Sequence, residues 1–202
     1  MNIGVILAAG RSTRFDSNIP KQLYPINGKP IIQHSIDLLS KHLDKVIIVT
    51  NSECSVKITG DVIINDVDSR LESIKVALNQ IDTCDNILIH DAARPYVTES
   101  MLLELLESST KNLHSQFYLP LLNGLAKFTS FGYQIPDRND YIELCSPQIT
   151  NFDIFKHIFN SYIETGKECE ILPIVSRFEM KYNLIKGHYR YLRKITTLED
   201  IF

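Results

Sequence analysis

Apolar residues fall in short dense runs separated by amphipathic stretches. Residues 3–7 (Ile-Gly-Val-Ile-Leu), 45–50 (Lys-Val-Ile-Ile-Val-Thr), 62–64 (Val-Ile-Ile) and 86–90 (Asn-Ile-Leu-Ile-His) are rich in β-branched residues on consecutive positions, the pattern of strands covered on both faces. Between them the period lengthens. Over 30–43, Ile31, Ile32, Ile36, Leu38, Leu39 and Leu43 share one side of a helix, with Pro30 at its start, where a missing N–H costs nothing. Asp68 or Ser69 caps a second helix reaching about Ile81, and Thr98 caps a third through Leu106. This alternation predicts an α/β fold with a mostly parallel sheet and helices on both faces. In such sheets ligands gather outside the carboxyl ends of the strands. Arg11, Arg14, Ser73 and Asp91 all follow strand ends, so they can converge there. The rhythm stops at about 121–145, where Gly124, Gly132, Pro136 and aromatic residues lack a helical period and predict a hairpin-like excursion.

Composition narrows the class. A hydrophobic content of 44% supports a full core, and the length of 202 residues suits a single domain, 1–202, that carries the excursion as an arm. A net charge of −3 predicts no general attraction to nucleic acid or membrane. No apolar run approaches the ~18 residues of a membrane span. Cys54, Cys84, Cys145 and Cys169 are scattered without CxxC spacing, as expected of free thiols in a reducing compartment. Met1 leads straight into a strand with no signal peptide, so the expected location is cytoplasmic.

The densest chemistry follows the first strand: Ile6-Leu7-Ala8-Ala9-Gly10-Arg11-Ser12-Thr13-Arg14-Phe15, then Pro20-Lys21-Gln22. Small residues and a glycine let backbone approach a ligand, while two arginines and a lysine arrive within eleven residues of Gly10. Backbone N–H groups with cations describe a polyphosphate cradle. No Gly-Lys-Ser/Thr follows, which excludes a Walker loop, and there is no Gly-x-Gly-x-x-Gly dinucleotide fingerprint.

The loop with its Pro-Lys-Gln resembles the signature of nucleotidyltransferases that make nucleoside-diphosphate sugars and alditols. Asp68-Ser69-Arg70-Leu71-Glu72-Ser73, His90-Asp91-Ala92-Ala93-Arg94-Pro95, Ser146-Pro147-Gln148 and Lys194-Ile195-Thr196-Thr197 follow in family order over nearly the whole chain. Together they resemble the 2-C-methyl-D-erythritol 4-phosphate cytidylyltransferase family, which includes ribitol 5-phosphate relatives. The resemblance implies a Rossmann-like fold of the nucleotide-diphospho-sugar transferase type. It further implies a β-arm that reaches across a homodimer, CTP and a polyol phosphate as substrates, and a divalent cation such as Mg2+.

It also implies residue roles. Arg14 and Lys21 serve the α-phosphate and the leaving pyrophosphate, with Lys194 of an expected last strand as the third cation. Asp91 is the metal candidate, against the alternative that it caps a turn. Nucleotide contacts fall to Ala8, Ala9, Gly10, Arg11 and the hydroxyl of Ser73. Asp68 and Arg70 either frame the base pocket or serve as a helix cap and a solvated cation. Arg94, Arg138 and Ser146 match positions that hold the acceptor, Arg94 alternatively a dimer contact. His90 reads as a packed histidine.

The departures cluster in the acceptor half. The family's Asp-Thr before an arm lysine is replaced by Asn123-Gly124-Leu125-Ala126-Lys127, and Thr-Asp-Glu survives only as Lys167-Glu168-Cys169-Glu170. Tyr191 stands near the expected second metal aspartate, as in the ribitol-phosphate branch, and Glu168 or Glu170 could compensate. Thr197-Leu198-Glu199-Asp200 predicts the start of a helix. The expected activity is CMP transfer to a polyol phosphate of the methylerythritol type. Ribitol or another pentitol phosphate, another nucleotide or sugar phosphate, and a non-catalytic nucleotide binder stand as alternatives.

Overall fold

A computed structural model describes residues 1–67, 69–163 and 181–201. Its centre is a seven-stranded sheet of β1 (Asn2–Ala8), β4 (Lys45–Thr50), β5 (Asp61–Ile64), β6 (Asn86–Asp91), β7 (His114–Pro120), β10 (Ile142–Asn151) and β11 (Tyr182–Lys186), in the order β11-β7-β10-β6-β1-β4-β5. β1 runs parallel to β4 and β6, β4 parallel to β5, and β7 parallel to β11. β10 enters antiparallel between β6 and β7. The mostly parallel sheet is therefore as expected, with one reversed strand that no periodicity announced. Two small ribbons accompany it: β2 (Pro25–Ile26) with β3 (Lys29–Pro30), and β8 (Lys127–Thr129) with β9 (Gly132–Gln134) inside the predicted excursion.

Both faces are covered. Along β1, Ile3 and Val5 pack on one face beneath α3 (Arg70–Leu78) and α5 (Phe152–Ile163), against Ile74, Leu78, Phe155 and Phe159. Ile6 and Ala8 pack on the other beneath α1 (Ile31–His42) and α4 (Glu99–Ser109), against Ile32, Leu39, Leu102 and Leu105. Side chains alternate across a strand, so a doubly covered strand must be apolar at every position. Each such side chain removed from water contributes roughly 1.5–3 kcal/mol.

The capping expectations hold. Pro30 precedes α1, Ser69 Oγ accepts from the Glu72 N–H at 3.3 Å, and Thr98 Oγ1 accepts from the Met101 N–H at 3.4 Å. α3 closes at Leu78, three residues short of Ile81. A short helix, α2 (Ser52–Ser55), follows β4 and is capped by Asn51, and a one-turn helix, α6 (Tyr189–Leu192), follows β11.

The expected last strand is not there. Residues 193–196 form a loop, followed by a 3-10 turn at Leu198–Asp200 in place of a full helix start. The Asp200 carboxylate accepts from the N–H groups of Thr196 and Thr197 at 2.7 and 2.8 Å, which removes the donors a strand ladder would need. One backbone bond, Ile195 N–H to Ala93 O at 2.8 Å, still ties this loop to the end of β6. Among the described residues no helix is long and apolar enough to cross a membrane. Cys54, Cys84 and Cys145 are free and buried, while Cys169 lies outside the described residues.

Candidate active site

A cleft opens at the carboxyl ends of β1 and β6 and the start of α3. Residues 7–14, Lys21, Arg70, Ser73, Asp91, Lys194 and Thr196 line it. Three cations far apart in sequence, Arg14, Lys21 and Lys194, thus share one wall. A small satellite core explains how. Phe15, Ile26, Ile31 and Ile195 bury together, with Tyr24, Tyr96, Leu198 and Ile201 against them. Phe15 follows Arg14, Tyr24 follows the turn that carries Lys21, and Ile195 follows Lys194. The same packing therefore anchors all three cation-bearing segments.

Crowding of like charge is visible in Lys21. Its pKa is lowered from the ordinary lysine value by burial first, then by the positive charges of Lys194 and Arg14. Such a gathering is unfavourable without an anion and becomes favourable when a polyphosphate enters. A Cβ added at Gly10 would meet nothing within 4 Å, so the glycine leaves cleft space that a side chain would take from a ligand.

Asp91 ends β6 at the centre of the cations. Its Oδ2 lies 3.1 Å from Lys194 Nζ and 3.9 Å from Arg94 Nε, and its Oδ1 lies 3.5 Å from Arg70 Nε. Burial would raise its pKa, but Arg70, Lys194 and Arg94 outweigh it and hold the carboxyl well below the usual range. Its backbone N–H donates to Ser146 Oγ at 3.0 Å.

The remaining sequence candidates divide. Ala8 and Ala9 are buried and Gly10 is exposed at the mouth of the cleft. Arg11 Nη2 donates to Asp66 O at 3.4 Å. Ser73 lines the cleft, yet its hydroxyl donates to Ser69 O at 3.0 Å and accepts from Asn65 Nδ2 at 2.9 Å, which leaves one lone pair for a ligand. Arg94 is buried, donates to Leu192 O and sits behind Asp91, so its guanidinium supports the carboxylate from below instead of facing the cleft. Ser146 is likewise buried, engaged with the end of β6. Arg138 lies at the foot of the arm, donating to Leu122 O at 3.0 Å, outside this cleft. Asp68, Glu168 and Glu170 lie outside the described residues. Tyr191 is half-buried against the core, with the Arg190 guanidinium 5.9 Å from its ring centre. His90 is a packed histidine: Nε2 sits 3.1 Å from Ser35 Oγ and burial lowers its pKa to about 4.

Sequence reasoning passed over Gln22, Asn51, Asn65 and Thr196 as functional candidates. Gln22 is buried and bonded to the loop after β1, and only its place beside Lys21 hinted at this. Asn51 and Asn65 had no local sign, because their partners are 42 and eight residues away.

Among the described residues no group of three His, Cys, Asp or Glu could cage a metal. Asp91 is the one described carboxylate lining the cleft. One carboxylate suits Mg2+ that arrives with substrate phosphates, since that ion keeps waters and takes one or two protein carboxylates. The donor set therefore fits a nucleotide-borne ion and does not fit a protein-only metal centre.

The fold and the cation-lined cleft are those of a nucleotidyltransferase. The structure superposes on 4-diphosphocytidyl-2C-methyl-D-erythritol synthase of Anaerococcus prevotii with a TM-score of 0.81 at 20% identity, covering 98% of this chain and 94% of that one. With 2-C-methyl-D-erythritol 4-phosphate cytidylyltransferase of Thermus thermophilus the TM-score is 0.79 at 18% identity, covering 97% and 93%. In sequence, relatives named 2-C-methyl-D-erythritol 4-phosphate cytidylyltransferase are 27% identical in Lachnospira eligens, covering 100% of this chain and 96% of the relative, and 31% identical in Bifidobacterium longum, covering 98% and 77%. The family model of 2-C-methyl-D-erythritol 4-phosphate cytidylyltransferase matches residues 3–202, and this chain belongs to that family.

Proposed function

We propose that the chain transfers CMP from CTP to 2-C-methyl-D-erythritol 4-phosphate, releasing pyrophosphate. An oxygen of the acceptor phosphate attacks the α-phosphorus, the bond to the β-phosphate bridging oxygen breaks, and its electron pair leaves with pyrophosphate. The acceptor phosphate is already anionic near neutral pH, so no base has to remove a proton. The protein's task is orientation and charge stabilisation. Arg14 and Lys21 meet the α-phosphate and the departing pyrophosphate, and Lys194 bridges towards the acceptor. The observation that carries this reading is the convergence of these three cations on one cleft beside the carboxylate of Asp91.

Asp91 would offer Mg2+ a protein ligand, and the ion would neutralise charge on the triphosphate. Ala8, Ala9, Gly10 and the remaining lone pair of Ser73, all on the lining of the cleft, would meet the cytosine base. Arg94 and Ser146 act through Asp91.

Arg138 supports a dimeric reading, because it lies outside its own cleft on an arm that carries Phe128, Phe131, Tyr133 and Ile135 with exposures of 89, 100, 69 and 77%. Such a patch favours burial against another surface. A homodimer would bury it and bring Arg138 to the acceptor side of a second copy. The fold, thiol state and substrates suit a cytoplasmic enzyme.

Ribitol 5-phosphate is the second reading, favoured by Tyr191 at the expected second metal aspartate. Pyrophosphate release from CTP and Mg2+ across both acceptors and a panel of sugar phosphates, with mass identification of the product, separates them. Turnover confined to methylerythritol phosphate is expected. Turnover confined to a pentitol phosphate would replace this reading, and silence with CTP bound would remove it.

A further inference from the structure

The loop after β1 is held by two side-chain amides, of which Gln22 also lines the cleft. Gln22 Nε2 donates to Ala8 O at 2.8 Å and to Gly10 O at 2.6 Å, and Asn51 Nδ2 donates to Ala9 O at 3.3 Å. Three consecutive carbonyl oxygens are thus bonded to the protein. Gln22 Oε1 accepts from Ser12 Oγ at 3.2 Å, beside a backbone that takes the uncommon φ of 58° at Ser12. Meanwhile the N–H groups of residues 10–14 donate to no acceptor among the described residues, and these residues line the cleft. Gln22 is 4% exposed, so its position is set by the protein and not by solvent.

We infer that Gln22, seconded by Asn51, is a positioning clamp for the anion loop. It keeps the carbonyl oxygens of residues 8–10 bonded inward, so that the loop offers a triphosphate donors without acceptors. A peptide unit presents either its N–H or its C=O to one side. A carbonyl turned towards the cleft would oppose a phosphate oxygen and withdraw a donor at once. Asn51 is itself fixed, since its Oδ1 accepts from the Cys54 N–H at 2.9 Å as the cap of α2. The clamp rests on the proposed use of this cleft for CTP, but it concerns binding of the polyphosphate and not the identity of the acceptor.

The test compares Gln22→Met and Gln22→Glu with wild type. Thermal unfolding establishes that each variant is folded at the assay temperature, and calorimetry measures CTP and inorganic pyrophosphate. Expected are dissociation constants raised at least about tenfold for both ligands, the scale of one lost hydrogen bond to a charged group. The KM of the acceptor phosphate should stay within about threefold. In Gln22→Glu the deficit relative to wild type should shrink as pH falls, because a protonated carboxyl regains an O–H donor for one carbonyl. Folded variants that bind both ligands within about twofold of wild type would overturn the clamp, as would a wild type that binds neither. If Gln22→Glu does not fold, the uncharged Gln22→Met variant decides alone. A wild type that binds CTP but transfers to no acceptor would remove the proposed function and leave the clamp standing.

Discussion

Replacing Asp91 by Asn keeps the shape of the side chain and removes the negative charge that draws Arg70, Arg94 and Lys194 together. Single pairs at 3.1, 3.5 and 3.9 Å would each be worth about 4–5 kcal/mol at an effective dielectric near 20. That sum is not the cost of the substitution. Burial of the carboxylate opposes it, and Lys194, with a side chain 44% exposed, is screened by water. What remains is chiefly Arg94, whose side chain is 6% exposed, and Arg70 at 27%. Stripping the partner from a buried cation typically costs about 3–5 kcal/mol, and the partial exposure of two of the three puts Asp91→Asn near the lower end, about 3 kcal/mol. Urea unfolding at neutral pH should show this as a midpoint lowered by roughly 1–2 M at the usual slope. The pH dependence has a definite sign. Because the folded pKa lies below the ordinary value of 3.8, the stabilisation is complete above about that pH and is lost as pH falls through the folded value. The gap between wild type and variant should therefore close in acid. A variant within about 1 kcal/mol of wild type at neutral pH, or a gap that stays open in acid, would refute the charge argument.

Lys21→Ala should lower kcat at least about 100-fold with little change in unfolding, since it removes charge stabilisation at the leaving group; near-normal turnover would exclude Lys21 from the chemistry. Because burial, and then the charges of Lys194 and Arg14, lower the Lys21 pKa, the alkaline fall of kcat/KM for CTP should set in below the ordinary lysine value of 10.5, as read from a rate profile of the free enzyme. Phe15→Ala should cost about 3 kcal/mol in chemical denaturation and weaken CTP binding together with it, because the same small core carries all three cation segments. Phe128→Ser with Phe131→Ser should shift sedimentation towards monomer while leaving the melting temperature within a few degrees; an unchanged dimer would remove the arm from the interface.

The elements legible in the sequence are those with a local cause. Residues 3–7 and 86–90 could be assigned to strands because double coverage demands continuous apolar side chains, and α1 because its apolar residues recur at helical spacing behind Pro30. Ser69 and Thr98 marked helix starts because a cap bonds to a backbone N–H three residues on. The polar β7, with His114, Ser115 and Gln116 buried, had no such pattern, because their partners lie on other elements: His114 meets Thr150 at 2.8 Å and Ser115 meets Ser108 at 2.8 Å. Residues 194–197, a strand by family resemblance and not by any local pattern, form a loop and turn instead, because the carboxylate of Asp200 claims the N–H donors of Thr196 and Thr197.

The order of βα units, the placement of small residues and cations directly after strand ends, and the family are all legible in the chain. These follow from side-chain periodicity, the small side chains of Ala8, Ala9 and Gly10 and motifs of a few adjacent residues, all written locally. Which cation touches what was settled by folding. It set Arg94 behind Asp91 instead of in the cleft, joined Lys194 to Asp91 across 103 positions of chain, and let Gln22 and Asn51 grip the loop after β1. Such contacts join residues that the chain keeps apart, and no local periodicity encodes which distant partner a buried polar group will meet.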